Sequence, residues 1–306
     1  MTTGFSRSTA WLAASLLFFS LPLQAEPWQR HTIDRTSRGA DGVRLADANG
    51  DGRLDIATGW EEGGVIRVYL NPGPDKARAE WPRVTVGEVK SPEDAVLVDL
   101  DGDQRMDVVS CCEGSVRTVF VHWAPAATSD YLDPEGWTTT GLPVTAGRQM
   151  WMYALPQQVD GRHGIDLLVG SKGSEATVGW LEAPPDARDL EAWKFHSLYK
   201  AGWIMSLAAR DLDADGDQDV IVSDRKGPSP GLLWLEHPGS DASGDWREHR
   251  IGADGLEVMF LAVGDLDQDG DQDLVIANAD GTIRLMRNQG VTGHWLSIKA
   301  IDAALN

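Results

Sequence analysis

The sequence predicts an all-β chain, a β-propeller most consistent with five four-stranded antiparallel blades, on three features that recur in phase. Acidic loops begin at residues 47, 99, 158, 211 and 265, and each is followed at once by a short apolar run. A second run rich in aromatic and large apolar residues comes next and ends in a turn, as at Asn71-Pro72-Gly73. A Trp-led alternating stretch then follows, at Trp81–Val86, Trp137–Leu142, Trp193–Leu198 and Trp246–Ile251. Alternation bounded by Gly and Pro marks antiparallel strands. A repeat of about 50 residues holding four such strands is a propeller blade. A partial six- or seven-bladed ring is the alternative.

Within one unit, strand A precedes the acidic loop, as in Ala95–Val98, and strand B follows it, as in Val220–Val222. Strand C is the aromatic run, as in Val65–Leu70, and strand D begins at the Trp. Trp28–Ile33 reads as a strand D without a blade of its own, while the last unit has strands A to C only. We therefore expect Trp28–Ile33 to complete the last sheet and close the ring, in preference to His294–Ala300, since closure removes an exposed sheet edge.

Residues 1–25 read as a secretory signal: Arg7 supplies the positive start, Trp11–Leu23 the apolar run, and Leu23-Gln24-Ala25 a cleavable end. That run is too short for about 30 Å of hydrocarbon. The expected organisation is a signal at 1–25, a propeller at 26–290 and a tail at 291–306, with the protein exported to the periplasm or beyond the cell. The formal charge of −20 repels phosphate backbones and excludes nucleic acid as an expected partner. Cys111 and Cys112 are adjacent and cannot staple distant segments. We expect them in a loop, as thiols or a vicinal disulfide.

Much of the acid is concentrated in the loops. Oxygen side chains fall at positions 1, 3, 5 and 9: Asp47, Asn49, Asp51 and Asp55; Asp99, Asp101, Asp103 and Asp107; Asp211, Asp213, Asp215 and Asp219; Asp265, Asp267, Asp269 and Asp273. The seventh residue, Arg53, Arg105, Asp217 or Asp271, offers its carbonyl. Hard oxygen donors on a short loop suit Ca²⁺, and without a cation the clustered carboxylates repel. About four structural calcium ions are expected. The loop starting at Gln158 has lost most of its acids, and no ion is expected there.

On these loops, with the Asn71-Pro72-Gly73 and Trp246–Ile251 type signatures, residues 28–290 resemble the FG-GAP/VCBS repeat family, the calcium-loop propellers related to integrin α-subunit heads. The resemblance implies a calcium-dependent propeller outside the cytoplasm, in a family that includes adhesion and ligand-binding modules. Residues 293–300 also look like the opening of a module that often follows such repeats. The blades look, more distantly, like the propeller part of aldos-2-ulose dehydratases.

Antiparallel order puts the B–C loops and D–A linkers on the face opposite the acidic loops. Residues six before each acidic loop, Asp41, Glu93, Met152, Met205 and Met259, should ring the channel there. Candidate ligand contacts are Arg38, Asp41, Trp60, Lys90, Glu93, Asp94, Arg148, Trp151, Lys200, Trp203 and Arg225, since tryptophans among mixed charges can stack on and hydrogen-bond a sugar. His31, His196 and His249 recur at one strand D position and read as structural. Two functions follow: a binding or adhesion module for a glycan or extracellular protein, or a carbohydrate-active lyase or dehydratase working at the channel mouth. A deep pocket holding a carboxylate or Lys of shifted pKa would favour the enzyme; a flat polar mouth would favour binding.

Overall fold

The structure, a computed structural model, describes residues 29–288 and 299–301. The expected signal at 1–25, Trp28 and most of the expected tail lie outside the described residues. Residues 32–301 belong to one unit.

Five antiparallel sheets follow one another along the chain. The first holds β1 (Ala40–Ala46), β2 (Asp55–Trp60), β3 (Val65–Tyr69) and β4 (Arg83–Glu88), and the second β5 (Pro92–Val98), β6 (Asp107–Cys112), β7 (Val119–Trp123) and β8 (Thr138–Gly141). The third holds β9 (Met150–Gln157), β10 (Asp166–Lys172), β11 (Thr177–Glu182) and β12 (Lys194–Lys200). The fourth holds β13 (Ile204–Arg210), β14 (Asp219–Asp224), β15 (Gly231–Glu236) and β16 (Arg247–Gly252), and the fifth β17 (Val258–Gly264), β18 (Asp273–Asn278), β19 (Ile283–Arg287) and β20 (Lys299–Ile301). Each sheet pairs its strands in chain order. This is the all-β propeller expected of the repeats.

Burial explains the composition of the strands. The second strands of the second and fourth sheets, β6 and β14, are buried along their whole length, which is why Asp107–Cys112 and Asp219–Asp224 carry continuous runs of small and apolar residues. Successive sheets stack face to face. Ala57, Ile66 and Val68 of the first sheet meet Ala95, Leu97 and Val108 of the second. Further apolar layers join the second to the third, the third to the fourth and the fourth to the fifth.

One carboxylate ties each acidic loop to its own sheet. The Asp at loop position 9 is buried in every blade. Its Oδ2 accepts the backbone N–H of position 2, and its Oδ1 accepts an N–H just past strand C. Those second donors are Asn71, Ala124, Ala183, His237 and Asn288. The Trp before strand D locks the other end of the same turn. Trp81, Trp137, Trp193 and Trp246 each donate Nε1 to a carbonyl in the preceding C–D loop, at 2.9–3.0 Å. His196 and His249 stack on Trp180 and Trp234 and hydrogen-bond Glu182 and Glu236. The structural reading of these two histidines therefore holds, whereas His31 lies in no strand.

Two expectations are corrected. The outer strand of the fifth sheet is Lys299–Ile301, paired with β19, and residues 29–33 form no strand. The N-terminal segment is held instead on the first sheet, where Ile33 accepts the N–H of Trp81. There the Asp34 carboxylate accepts from Tyr69 Oη at 2.8 Å and Arg67 Nη1 at 2.5 Å, as well as from Thr36. Burial alone would raise the Asp34 pKa, but these bonds outweigh it and hold the group well below the usual carboxylate range. Among the described residues no apolar layer joins the fifth sheet to the first, and Val43 and Leu45 of the first sheet and Phe260 and Ile283 of the fifth are exposed. Among the described residues, the fifth sheet is completed by Lys299–Ile301 and not by residues 29–33.

The cysteines are the second correction. Both are free, both are buried, and they lie in β6 and not in a loop. Their side chains fall on opposite faces of the strand, Cys111 in the layer toward the third sheet and Cys112 in the layer toward the first. Burial pushes both thiols up, Cys112 to about 12.

Candidate functional site

The acidic loops share one hydrogen-bond scheme. The N–H of position 5 meets the position 3 oxygen, that of position 6 meets the position 1 carboxylate, and that of position 7 meets the position 5 carboxylate. Position 6 takes a positive φ throughout, +80° at Gly52, +101° at Gly216 and +98° at Gly270, but also +69° at Gln104, where a side chain must tolerate the left-handed region.

Carboxylate oxygens converge in three loops: Asp99, Asp101 and Asp107; Asp211, Asp213 and Asp219; Asp265, Asp267 and Asp269, each set within 4.8 Å. The first loop, with the amide of Asn49 at position 3, brings no three carboxylates so close among the described residues. Asp99 Oδ1 and Asp211 Oδ1, both at position 1, are buried and have no hydrogen-bond partner. A buried anionic oxygen without a donor is costly. The donor set is all oxygen, so these residues fit a hard divalent cation. Arginines already reach several of them: Arg53 pairs with Asp51, Arg105 with Asp103, and Arg287 with Asp267. Arg188, from the third sheet's C–D loop, meets Asp101 at 2.6 Å.

The loop starting at Gln158 is filled differently. Gln158 Nε2 donates to the carbonyls of Arg162 at 2.7 Å and Gly164 at 2.5 Å, positions 5 and 7, while its Oε1 accepts from Asp160 and Gly161. The position 7 carbonyl therefore does point at the position 1 side chain, and here an amide N–H₂ stands where the other loops gather acids.

On the opposite face, a recurrent β-bulge shapes the channel. The pairing of each strand A with strand B slips near its start, at Gly42–Val43, Glu93, Met152, Met205 and Met259. A bulge frees one residue from the ladder and re-aims it. A cavity of about 380 Å³ is bordered by strand A of all five sheets, including Asp41, Arg44, Glu93, Asp94, Met152, Met205 and Phe260.

The charges there are unequally satisfied. Arg44 gives Asp94 two hydrogen bonds, at 3.0 and 2.8 Å, and lies 3.8 Å from the Tyr153 ring centre. Lys172 pairs with Glu113 and reaches Glu93 at 3.4 Å, and Glu61 completes a group of three carboxylates with them. Burial above all, then the nearby Glu113 and Asp41, push the Glu93 carboxyl up to about 8 despite Lys172. Burial and the Asp94 charge raise Asp41 as well. Lys172 is held charged, because Glu113 and Glu93 outweigh its desolvation.

The expected ligand residues divide accordingly. Asp41, Glu93 and Asp94 border the cavity. Trp203 is not among the lining residues; Lys172 lies 4.7 Å and Arg225 4.6 Å over its ring. Arg38 is exposed and pairs with Glu62 at 3.6 Å, and Lys90, Arg148 and Lys200 are exposed. Trp151 and Trp60 are corrections. Trp151 is 0% exposed in the layer between the second and third sheets, with Nε1 donating to Thr145. Trp60 is buried against Tyr69. Counted from the bulge, Trp203 sits one residue earlier than Trp151, so the two point to different surroundings. Arg44, Tyr153 and Phe260 were missed, because only strand pairing reveals which residue the bulge turns inward.

Among the described residues no helix is long and apolar enough to cross a membrane. Residues 47–110 match the model of an FG-GAP-like repeat, and residues 259–293 match that of the FG-GAP repeat. No curated protein matches the chain. Among solved structures, a lectin from Agrocybe aegerita, described as recognising non-reducing terminal N-acetylglucosamine, is 17% identical with a TM-score of 0.47. That match covers 81% of this chain, which spans 63% of the lectin. A protein from Bifidobacterium bifidum s17 assigned as an exo-beta-1,3-galactanase is 12% identical with a TM-score of 0.48, over 87% of this chain and 97% of its own. Its two matched segments and its five four-stranded sheets make the chain an all-β propeller that carries FG-GAP repeats.

Proposed function

We propose that this is an exported propeller, stiffened by calcium in its acidic loops, that acts as a binding module for a glycan or an extracellular protein at the channel mouth. The observation that carries the reading is the ring of bulges. Strand A of every blade is distorted at the same place, and the distortions surround one cavity on the face away from the acidic loops. The orphaned Asp99 and Asp211 oxygens support calcium in their loops. Oxygen donors from positions 1, 3, 5 and 9, with the position 7 carbonyl, would hold the ion, which would neutralise the cluster and fix the loop.

A second reading, a carbohydrate-active lyase or dehydratase, is favoured by Glu93, a cavity carboxyl that keeps its proton near neutral pH. Against it, both basic side chains within reach are committed: Lys172 is held charged by two glutamates, and Arg44 is locked to Asp94. A glycan array run in calcium and in chelator, with product analysis, tests both readings. Calcium-dependent binding without turnover is the expected result. Product formation would replace the module with the enzyme, and a blank array would leave a protein partner.

A further inference from the structure

The two sides of the channel cavity differ in chemistry. On the first and second sheets it meets the carboxylates of Asp41 and Glu93, and on the third to fifth it meets Met152, Ile204, Met205 and Phe260. The Arg44–Asp94 pair is self-contained, both Asp94 oxygens being taken by Arg44 and one also by the Ala154 N–H. The Asp41 carboxylate receives one hydrogen bond among the described residues, from the Gly42 N–H at 2.9 Å. Glu93, 9% exposed, shares Lys172 with Glu113, and Lys172 lies closer to Glu113. The Asp41 carboxylate therefore has no ion pair among the described residues, while Glu93, protonated near neutral pH in the empty cavity, can ionise beside an arriving cation.

We propose that the cavity takes the protonated amine of a ligand, with the ammonium between Asp41 and Glu93 and the aliphatic body against Met152, Met205 and Phe260. The proposal rests on the mouth being the binding face and names the chemistry it selects. Charge-assisted hydrogen bonds to carboxylates are the strong ones. Thioether side chains are polarisable and adapt to an irregular aliphatic body. A volume of about 380 Å³ suits a small ligand or a single side chain. The raised Asp41 and Glu93 carboxyls agree, because a cation lowers what burial and like charges have raised. A metal ion is a poorer occupant, since the Lys172 ammonium already lies among Glu61, Glu93 and Glu113. Two sources share the required chemistry: an amino sugar, and a lysine side chain of a protein partner.

The test is calorimetric titration of the full chain in calcium, near neutral pH, with glucosamine and with Nα-acetyl-lysine methylamide. N-acetylglucosamine and the doubly acetylated lysine serve as neutral counterparts. At least one amine is expected to bind about tenfold or more tighter than its counterpart, and which one identifies the source. Asp41→Asn, at an exposed position, is expected to weaken it by a similar factor with an unchanged melting temperature, and Glu93→Gln to weaken it too. Equal affinity for the acetylated forms, or affinity untouched by Asp41→Asn, would overturn the amine and leave the mouth as a binding face. Silence from both amines also overturns it, and only silence across the glycan array and protein partners removes the binding face itself.

Discussion

Gln158 solves with a neutral amide the problem its four counterparts solve with acids. It gives two hydrogen bonds to loop carbonyls and takes two from loop N–H groups. Gln158→Ala is expected to lower the unfolding free energy by about 1–3 kcal/mol, equally in calcium and in chelator, as measured by urea denaturation. Asp213 behaves in the opposite way. Desolvation and the Asp215 charge raise its pKa, so in the empty loop it is a repelled group. Asp213→Ala is expected to remove one bound calcium and to destabilise only when calcium is present, with chelated stability unchanged or slightly higher. Equilibrium dialysis alongside the same denaturation series checks both halves. These loops were legible because their donors are neighbours in sequence. Asp166 shows the limit of that reading. It survives in a loop without the other acids because its two oxygens latch Val159 and Ala183, a duty only the folded sheet reveals.

At the scale of the strand, backbone proximity sets the tolerances. A methyl group at Gly179 would collide with the His196 carbonyl and the Phe195 ring on the paired strand β12. Neither can move without disturbing the ladder, so Gly179→Ala is expected to cost about 1–3 kcal/mol, read from thermal or urea unfolding. β6 makes a chemical prediction. With both thiols buried and raised, Cys111 and Cys112 are expected to resist a thiol-specific reagent in the native state and to react fully once unfolded. Labelling of either in the native chain would mean that the second sheet opens. The period of the strands was readable from Trp and turn residues. Their faces were not, since a bulge shifts every side chain before it to the other side. That is why Trp151 and Trp203 looked equivalent, and why Arg44 and Phe260 went unremarked beside the cavity.

At the scale of the whole molecule, the described residues form no apolar layer between the fifth sheet and the first. In the fifth sheet Phe260 is 56% and Ile283 77% exposed, so these side chains gain little from burial. That exposure could not be read from the repeats, because every unit looks alike whether or not a neighbour covers it. In the proposed calcium-bound form, calcium and protons would compete for the same carboxylates, and that would give the chain two opposite pH responses. Without calcium, burial raises Asp107 and Asp219 from 3.8 to about 7, and Glu93 from 4.5 to about 8. The folded chain then binds more protons than the unfolded chain between these limits, so stability is fully present below about pH 4 and is lost as pH rises toward 7–8. Asp34, held low, adds its opposite contribution only as pH falls through and below the ordinary carboxylate range, outside that window. With calcium present, the ion binds only ionised carboxylates, so its stabilisation grows over the same interval. Melting temperatures measured from pH 5 to 8 are therefore expected to fall with pH in chelator, and to hold level or rise in calcium. The gap between the two curves should be widest at the alkaline end. Parallel curves would mean that the loops bind no ion that matters to the fold, and the acids would then be held by Arg53, Arg105, Arg188 and Arg287 alone.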